Sequence, residues 1–538
     1  MKKKDGWKRR WILLLPLAPF LLALSVYLWD ALQSGATGEA MAKRITDAVF
    51  SAFRVYSMLV FAPIGRDGLP TLGKWDTCGW IILEIARWGA VTVIAAAALT
   101  LMKNALKRIS VAWLAKRKDV YALYGDPAAV SALKRELGTQ AICADVEEKK
   151  AAFNHIVAYR DARDVYCFLD ENPKLLERPE AKIYIYTDAR LHPRQLDHRV
   201  RISDMAQNCA RLFWHEHPMI LQERYIVLIG SGRYMEQLLE QALLTNVFLR
   251  KGGVVYHVFG DCCEYRARHP QLEKVVSIDE AQPGRDAIFF HTGKWYACSE
   301  AVKAADRVIL CGSDEAESYA VMDALVELHI PGRIFIRVHS ERTLDALWRK
   351  PAKAEGETVV VPFGMDETLY TFSQSTNQAV LERGKLVHAY YEWLYGDHGL
   401  PPRERVHTEA FEAAWDRESS YHRASSVAMA DHVEEKARIL LHRQALEPGD
   451  IGRAGEQYRL LNDMQKRALL ELEHRRWMRF MWLSGWRWGE RKDDVKRTHP
   501  CLVPFEALPR QEQEKDGIAY EMMSVFESTI EKAEKRKG

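Results

Sequence analysis

Short apolar runs broken by glycine turns occupy the middle of the chain. Val120-Tyr-Ala-Leu-Tyr124 leads into Gly125-Asp-Pro-Ala, an amphipathic stretch to Leu137, and a second apolar run from Gln140 to Ala144 that ends at Asp145. That order predicts strand, turn, helix, strand. Further strands are predicted over 165–169 and 183–186. The pattern restarts with a strand over 225–229, the turn Gly230-Ser-Gly232, a helix to Leu249, and a strand over 254–259 closing at Gly260-Asp261. Strands over 287–290, 308–311 and 333–338 each follow a helix-like stretch. Regular alternation of this kind predicts an α/β fold with parallel sheets.

The flanks read differently. Residues 11–29 form an uncharged run of 19 preceded by Lys2, Lys3, Lys4, Lys8, Arg9 and Arg10, long enough to cross a hydrocarbon core of ~30 Å as an uncleaved anchor. A second apolar run, 79–102, holds Glu84 and Arg87 one turn apart and is followed by Lys103, Lys107, Arg108, Lys116, Arg117 and Lys118. Basic residues at the outer ends of both runs predict a two-span hairpin with both termini and the bulk of the chain on the cytoplasmic side of the cell inner membrane. Between the runs, 45–61 is amphipathic and aromatic, fitting either a re-entrant pore helix or an interfacial one; Ala62-Pro-Ile-Gly65 is a poor selectivity filter.

Beyond 364 the spacing is helical, with a break over 396–402 and a linker at Glu447-Pro-Gly-Asp-Ile-Gly452. Leu469, Leu472, Arg476, Phe480 and Leu483 recur near helical spacing up to Gly485. Trp486 and Trp488 follow on an extended segment. After Met523 a charged, solvated helix is predicted. The predicted domains are therefore 1–118 (membrane hairpin), 119–220 and 221–364 (two α/β lobes), 365–454 (helical bridge) and 455–538 (a small α-rich domain).

Composition narrows the function. A net charge of +3 on 538 residues gives no general reason to expect nucleic acid as a partner. Nine cysteines, mostly single, fit buried thiols in a reduced compartment, and no cluster has metal-ligand spacing. No nucleophile elbow, P-loop, HExxH or defensible carboxylate pair is present, which argues against an enzyme.

What remains is ligand binding. Gly230 permits the tight turn after a strand, Gly232 lets a phosphate approach helix-start amides, and Asp261 stands where a Rossmann fold holds a ribose hydroxyl. Gly125 and Asp145 are the corresponding pair in the first lobe. The third glycine of the motif is Met235, so the fingerprint is incomplete. The expected cofactor is NAD or another adenine nucleotide.

Near the C-terminus, Glu473-His474-x-x-Trp477, Gly485-Trp486-Arg487-Trp488-Gly489, then His499-Pro-x-Leu-Val-Pro504 and Lys515-Asp516 occur in order. These residues resemble the RyR domain, the repeat named from ryanodine receptors and found alone in prokaryotic proteins; Trp488 stands where that family more often has Tyr. A cleft is expected there, walled by Trp477, Trp486 and Trp488 and edged by Glu473, His474, Arg487, Lys496 and His499, suited to a flat charged ligand such as a nucleotide. The bridge segment Arg423-Ala-Ser425-Ser426, where Arg-x-Ser-Asn is more usual, is expected either to complete this cleft or simply to pack.

Ile85-Ala-Arg87, Gly230-Ser-Gly232, Val361-Pro-Phe-Gly364 and Val387-His388-Ala-Tyr-Tyr391 also resemble the TrkA-N or RCK-type regulatory proteins, which gate potassium movement by sensing nucleotides. Together the two resemblances imply a membrane-anchored nucleotide sensor regulating cation flux, as a homo-oligomer in contact with membrane lipid. The alternatives are a non-conducting effector or scaffold in nucleotide stress signalling and a membrane-bound NAD-dependent enzyme.

Overall fold

The computed structural model describes residues 15–56, 76–191, 199–249, 252–312, 314–330, 332–347, 358–371, 378–396 and 399–526. The chain divides into two units, Met1–Leu114 and Ala115–Gly538.

In the first unit, α1 (Ala18–Gln33) packs against α2 (Glu39–Phe53) and α3 (Asp76–Leu114). Ala23, Ala52, Ala86 and Ala90 sit fully buried at these contacts, where small side chains let helix backbones approach. The 39 residues of α3 would span ~58 Å at 1.5 Å per residue. The helix takes in the predicted span over 79–102 and carries on past Lys103, Lys107 and Arg108. Among the described residues it is the one helix long and apolar enough to cross a membrane. α1 is apolar but shorter, and the start of the first predicted span lies outside the described residues. Arg87 does pair with Glu84, at 3.3 Å. The amphipathic segment predicted over 45–61 begins earlier, as α2, and continues through the short turn Arg54–Tyr56; residues 57–61 lie outside the described residues. Ala62-Pro-Ile-Gly65 lies outside the described residues.

The second unit opens with β1 (Tyr121–Gly125), α4 (Pro127–Leu137), β2 (Ala141–Ile142), β3 (Asn154–Ala158), α5 (Ala162–Glu171), β4 (Lys182–Thr187), β5 (Val200–Asp204) and α6 (Met205–Glu216). The five strands are all parallel in the order β2-β1-β3-β4-β5. The sequence pattern misplaced one element here: the strand expected over 165–169 is part of helix α5. Asp161 caps that helix by accepting from the Arg163 amide at 2.8 Å, and Val165 and Phe168, three apart, turn inward while Tyr166 faces solvent. The strand that belongs in the sheet is β3, whose five residues are all buried.

The next lobe contains β6 (Tyr225–Ile229), α7 (Arg233–Thr245), β7 (Val255–Phe259), β8 (Ser277–Ile278), β9 (Ala287–His291), β10 (Arg307–Leu310), α8 (Glu315–Glu327), β11 (Arg333–Arg337) and β12 (Val360–Phe363). Its seven strands run parallel in the order β12-β11-β10-β6-β7-β9-β8. Counting from β6, strands are added first on one side through β7 and β9 and then on the other through β10, β11 and β12. That is the order of doubly wound dinucleotide-binding sheets, with the reversal between β6 and β10. Helix α6 joins the lobes: Phe213 meets Phe335 edge-on at 5.1 Å and Phe363 at 4.6 Å. One core runs from Leu123 and Ile156 of the first lobe to Leu228 and Ile309 of the second.

The remaining helices include α9 (Gln378–Tyr395), α10 (Ser420–Asp431), α11 (Val433–Leu441), α12 (Asp450–Leu460) and α13 (Asp463–Leu483). Leu386, Val433, Tyr458, Leu469 and Tyr520 share one core, so the bridge and the C-terminal segment fold around each other. α12 begins inside the expected linker and crosses the boundary expected at 454/455. A capping box between Asn462 and Gln465 starts α13 two turns before Leu469, and Gly485, at φ +79°, ends it as the spacing predicts. Most of the predicted charged tail lies outside the described residues.

Candidate functional site

At the reversal point of the second lobe, β6 hands over to α7 through Gly230-Ser231-Gly232. The two glycines serve different ends. A side chain on Gly230 (φ +145°) would stand 2.5 Å from the Gly312 amide nitrogen, because β6 and β10 come together there. Gly232 (φ +86°) is exposed and has nothing within 4 Å of where a Cβ would be, so the turn leaves open space at the start of a 13-residue helix. An amide beside open space at a helix N-terminus is what a phosphate requires. Met235, in place of the third glycine, is fully buried and fills the helix-to-sheet contact instead of narrowing it. Asp261 lies exposed just past β7; its carboxylate accepts from the Cys263 amide at 3.0 Å, and that bond holds it below the usual carboxylate range. The residues present thus fit a nucleotide: α7 amides for phosphate and an ionised carboxylate for ribose hydroxyls.

In the first lobe, the sheet order 2-1-3-4-5 places a reversal between β1 and β3, yet the turn is filled. A side chain on Gly125 (φ +134°) would collide with the Ala158 carbonyl. Asp126 puts a carboxylate there, accepting from the Arg160 amide at 3.0 Å, and Pro127 removes an amide from the first turn of α4. An anion at this helix start would meet a fixed negative charge. Asp145 lies exposed beyond β2. Gly125 thus corresponds to Gly230 in its close backbone approach, while Asp126 and Pro127 make the first-lobe helix start less suited to a phosphate.

The C-terminal aromatic residues do not line a single cleft. Glu473, 1 % exposed, accepts from Arg476 at 2.6 Å and pairs with Lys436 at 2.7 Å. Burial alone would raise its pKa, but the two cations outweigh burial and hold it at about 2. Burial draws the Lys436 ammonium below its ordinary value. His474, also buried, donates from Nε2 to the Val503 carbonyl at 2.9 Å and stacks on Trp477 at 5.6 Å, tying α13 to the loop after His499. Trp477 is half-buried and meets His499 edge-on at 5.1 Å. Burial lowers the pKa of His499.

Trp486 is 2 % exposed and packs on Tyr421 at 4.9 Å, beside Phe480, Met481 and Leu502. Arg487 and Trp488 form a two-residue parallel ladder, β13 (Arg487–Trp488) with β14 (Thr498–His499), and both are exposed. Lys496 is 3.7 Å from Asp493, its side chain 73 % exposed. Glu473 and Trp486 are therefore interior residues, whereas Trp488, Arg487 and Lys496 belong to a solvated ribbon. The α10 segment contributes Tyr421, whose hydroxyl meets the Met481 sulfur at 2.7 Å, and Ala428 to the same core, so the bridge packs against the aromatic cluster.

Open space lies along another stripe of α13. Arg475, Met478 and Trp482 line two cavities, one against the second lobe and one against Leu502–Glu506. Their spacing of three and four residues puts them on one stripe of the helix, while the recognisable motif lies on the neighbouring Glu473 and Trp477 stripe. The same helix grips the far end of α7. Arg479 donates to the Leu243 carbonyl at 3.1 Å and pairs with Asp286 at 2.7 Å, Arg475 donates to the Phe248 carbonyl at 3.4 Å, and His432 of the bridge meets the Val247 carbonyl at 3.2 Å. Cations at a helix C-terminus complement its dipole.

No solved structure gives a significant match to this chain. The family comparison identifies one part of it: residues 458–527 are a RyR domain.

Proposed function

We propose that this chain is a membrane-anchored nucleotide sensor that regulates cation flux, potassium by its TrkA-N/RCK resemblance, with an adenine nucleotide such as NAD as ligand of the second lobe and a further ligand taken by the RyR domain. The observation carrying this reading is the open space at Gly232, at the start of α7 and at the reversal point of a 3-2-1-4-5-6 sheet. α7 would hold the phosphates and Asp261 the ribose, and binding rather than turnover is the expected activity.

The route to an output is also physical. α7 has its glycine turn at one end and the RyR helix bonded at the other, so a ligand that shifts α7 bears on Arg475 and Arg479. The apolar α3 supports membrane anchoring, with the body cytoplasmic and a homo-oligomer enclosing any pore.

The test is calorimetric titration of the purified full chain with NAD and ATP, followed by potassium flux in liposomes with and without the bound nucleotide. Binding with nucleotide-dependent flux supports the proposal. Binding without flux moves the protein to the non-conducting effector reading, turnover of NAD moves it to the enzyme reading, and absence of binding removes the sensor altogether.

A further inference from the structure

The stripe of α13 that carries Arg475, Met478, Arg479 and Trp482 faces the edge of the second lobe where β7 and β9 begin. Between them lies a cavity of about 210 Å³ whose charged lining is Lys274, Arg285, Arg475 and Arg479 against the single carboxylate Asp286. Asp286 is already committed: it accepts from the Val254 amide at 2.7 Å and pairs with Arg479 at 2.7 Å. Arg285 donates to the carbonyls of Glu273 and Val276. Lys274 is exposed. Arg475 keeps a buried Nε without a hydrogen-bond partner among those residues. Gathering four cations around one neutralised carboxylate costs free energy through mutual repulsion and desolvation unless an anion joins them.

Across Arg475, Met478 and Trp482 lies a second cavity, of about 250 Å³, with mainly apolar walls from Leu502, Val503, Pro504 and Phe505. Leu502, Val503 and Pro504 belong to the His-Pro-x-Leu-Val-Pro stretch of the RyR domain, and Phe505 follows it. A cationic chamber beside an apolar one, with an indole on the shared wall, matches a ligand with a phosphate at one end and a ring at the other.

We propose that the junction between the RyR helix and the second lobe is a binding site for a phosphate-bearing small molecule of nucleotide type. The phosphate lies among Lys274, Arg285 and Arg475, and the ring reaches past Trp482 and Met478 towards Phe505. This site is separate from the glycine turn, and since its ligand touches both Arg475 of α13 and Lys274 of the lobe, it would strengthen the contact between them.

The full chain carrying Gly232→Val, which disables the turn, would be titrated calorimetrically with AMP, adenosine and inorganic phosphate. AMP should bind this background, adenosine at least ten-fold more weakly, and inorganic phosphate measurably and with strong dependence on salt. Adding Arg475→Met should weaken AMP at least ten-fold, and Trp482→Leu should weaken AMP while leaving inorganic phosphate unchanged. Because Arg475 also bonds the Phe248 carbonyl, Lys274→Glu at an exposed position is the control for folding and should weaken AMP comparably with an unchanged melting temperature. Binding of phosphate but not AMP would mark a simple anion site and overturn the nucleotide assignment. AMP affinity unaffected by Lys274→Glu, or no binding in the Gly232→Val background, would overturn the site itself.

Discussion

Lys436 meets Glu473 at 2.7 Å where neither side chain has more than 1 % of its surface exposed. One belongs to the bridge and the other to the RyR domain, so the pair, with Arg476, fastens two sequence segments together. Removing one member of a buried ion pair costs about 3–5 kcal/mol because the survivor is left charged in the interior. Lys436→Met should therefore lower the thermal midpoint of the body markedly. The double variant Lys436→Met, Glu473→Leu should recover little, since Arg476 then loses its acceptor. Full recovery in differential scanning calorimetry would show that Arg476 does not depend on Glu473.

The same carboxylate has a pH signature. Glu473 is held at about 2 in the folded protein against an ordinary value of 4.5, so it binds protons more readily when unfolded. Its contribution to stability is complete above about pH 4.5 and is lost as pH falls towards about 2. The difference in melting temperature between the natural protein and Glu473→Gln should shrink over that window and be constant from pH 6 to 8. A difference that grows on acidification would contradict the assigned pair.

The two glycines of the turn should separate binding from stability. Gly232→Val should abolish nucleotide binding at the second lobe, with a stability cost limited to its positive φ, roughly 1–3 kcal/mol. Gly230→Val adds a collision with the Gly312 backbone, so it should fold poorly whatever ligand is present. Equal stability of the two variants, measured by urea unfolding, would be inconsistent with the packing between β6 and β10.

Trp486 and Trp488 should behave as opposites. Trp486→Ala opens a cavity beside Tyr421 and Phe480 and should cost about 3–5 kcal/mol of stability. Trp488→Ala, at an exposed site, should stay within ~0.5 kcal/mol. Iodide quenching should report Trp488 as accessible and Trp486 as shielded. The reverse pattern would restore Trp486 to a ligand-facing wall.

These contrasts show how much was legible beforehand. β6, β7, β9, β10 and β11 could be read because each apolar run is bounded by glycine or follows an amphipathic helix. The strand β3 is not legible because Asn154 and His155 interrupt its apolar pattern although both are buried, and α5 reads as a strand because a five-residue apolar run looks the same in either state. Spacing placed Trp486 and Trp488 on one side of an extended segment. It could not foresee that Gly485 turns the chain so that the Trp486 amide bonds the Met481 carbonyl at 2.9 Å, driving that indole inward. Likewise Glu473 looked like a cleft carboxylate because Lys436, its partner, lies 37 positions away in sequence.

The membrane arrangement makes its own prediction. With basic residues flanking both apolar runs, single cysteines introduced between 35 and 70 in a cysteine-free background should react with an impermeant thiol reagent from outside. Cysteines placed in the Ala115–Gly538 unit should react only after permeabilisation. Labelling of both regions from the same side would sink the hairpin.

Because α12 runs from Asp450 to Leu460, the family match beginning at 458 starts in the last turn of a helix. A fragment cut there, or at 455, would lose the part of α12 that holds Ile451 and Ala454, and with it the bridge residues that cover Leu469 and Tyr520. Such a peptide should be sticky and poorly soluble when expressed alone. A boundary at about 115, which keeps both lobes, the bridge and the C-terminal segment together, is the natural place to divide the chain for recombinant work. The unit recognised by sequence comparison and the unit able to stand in water are then of different length.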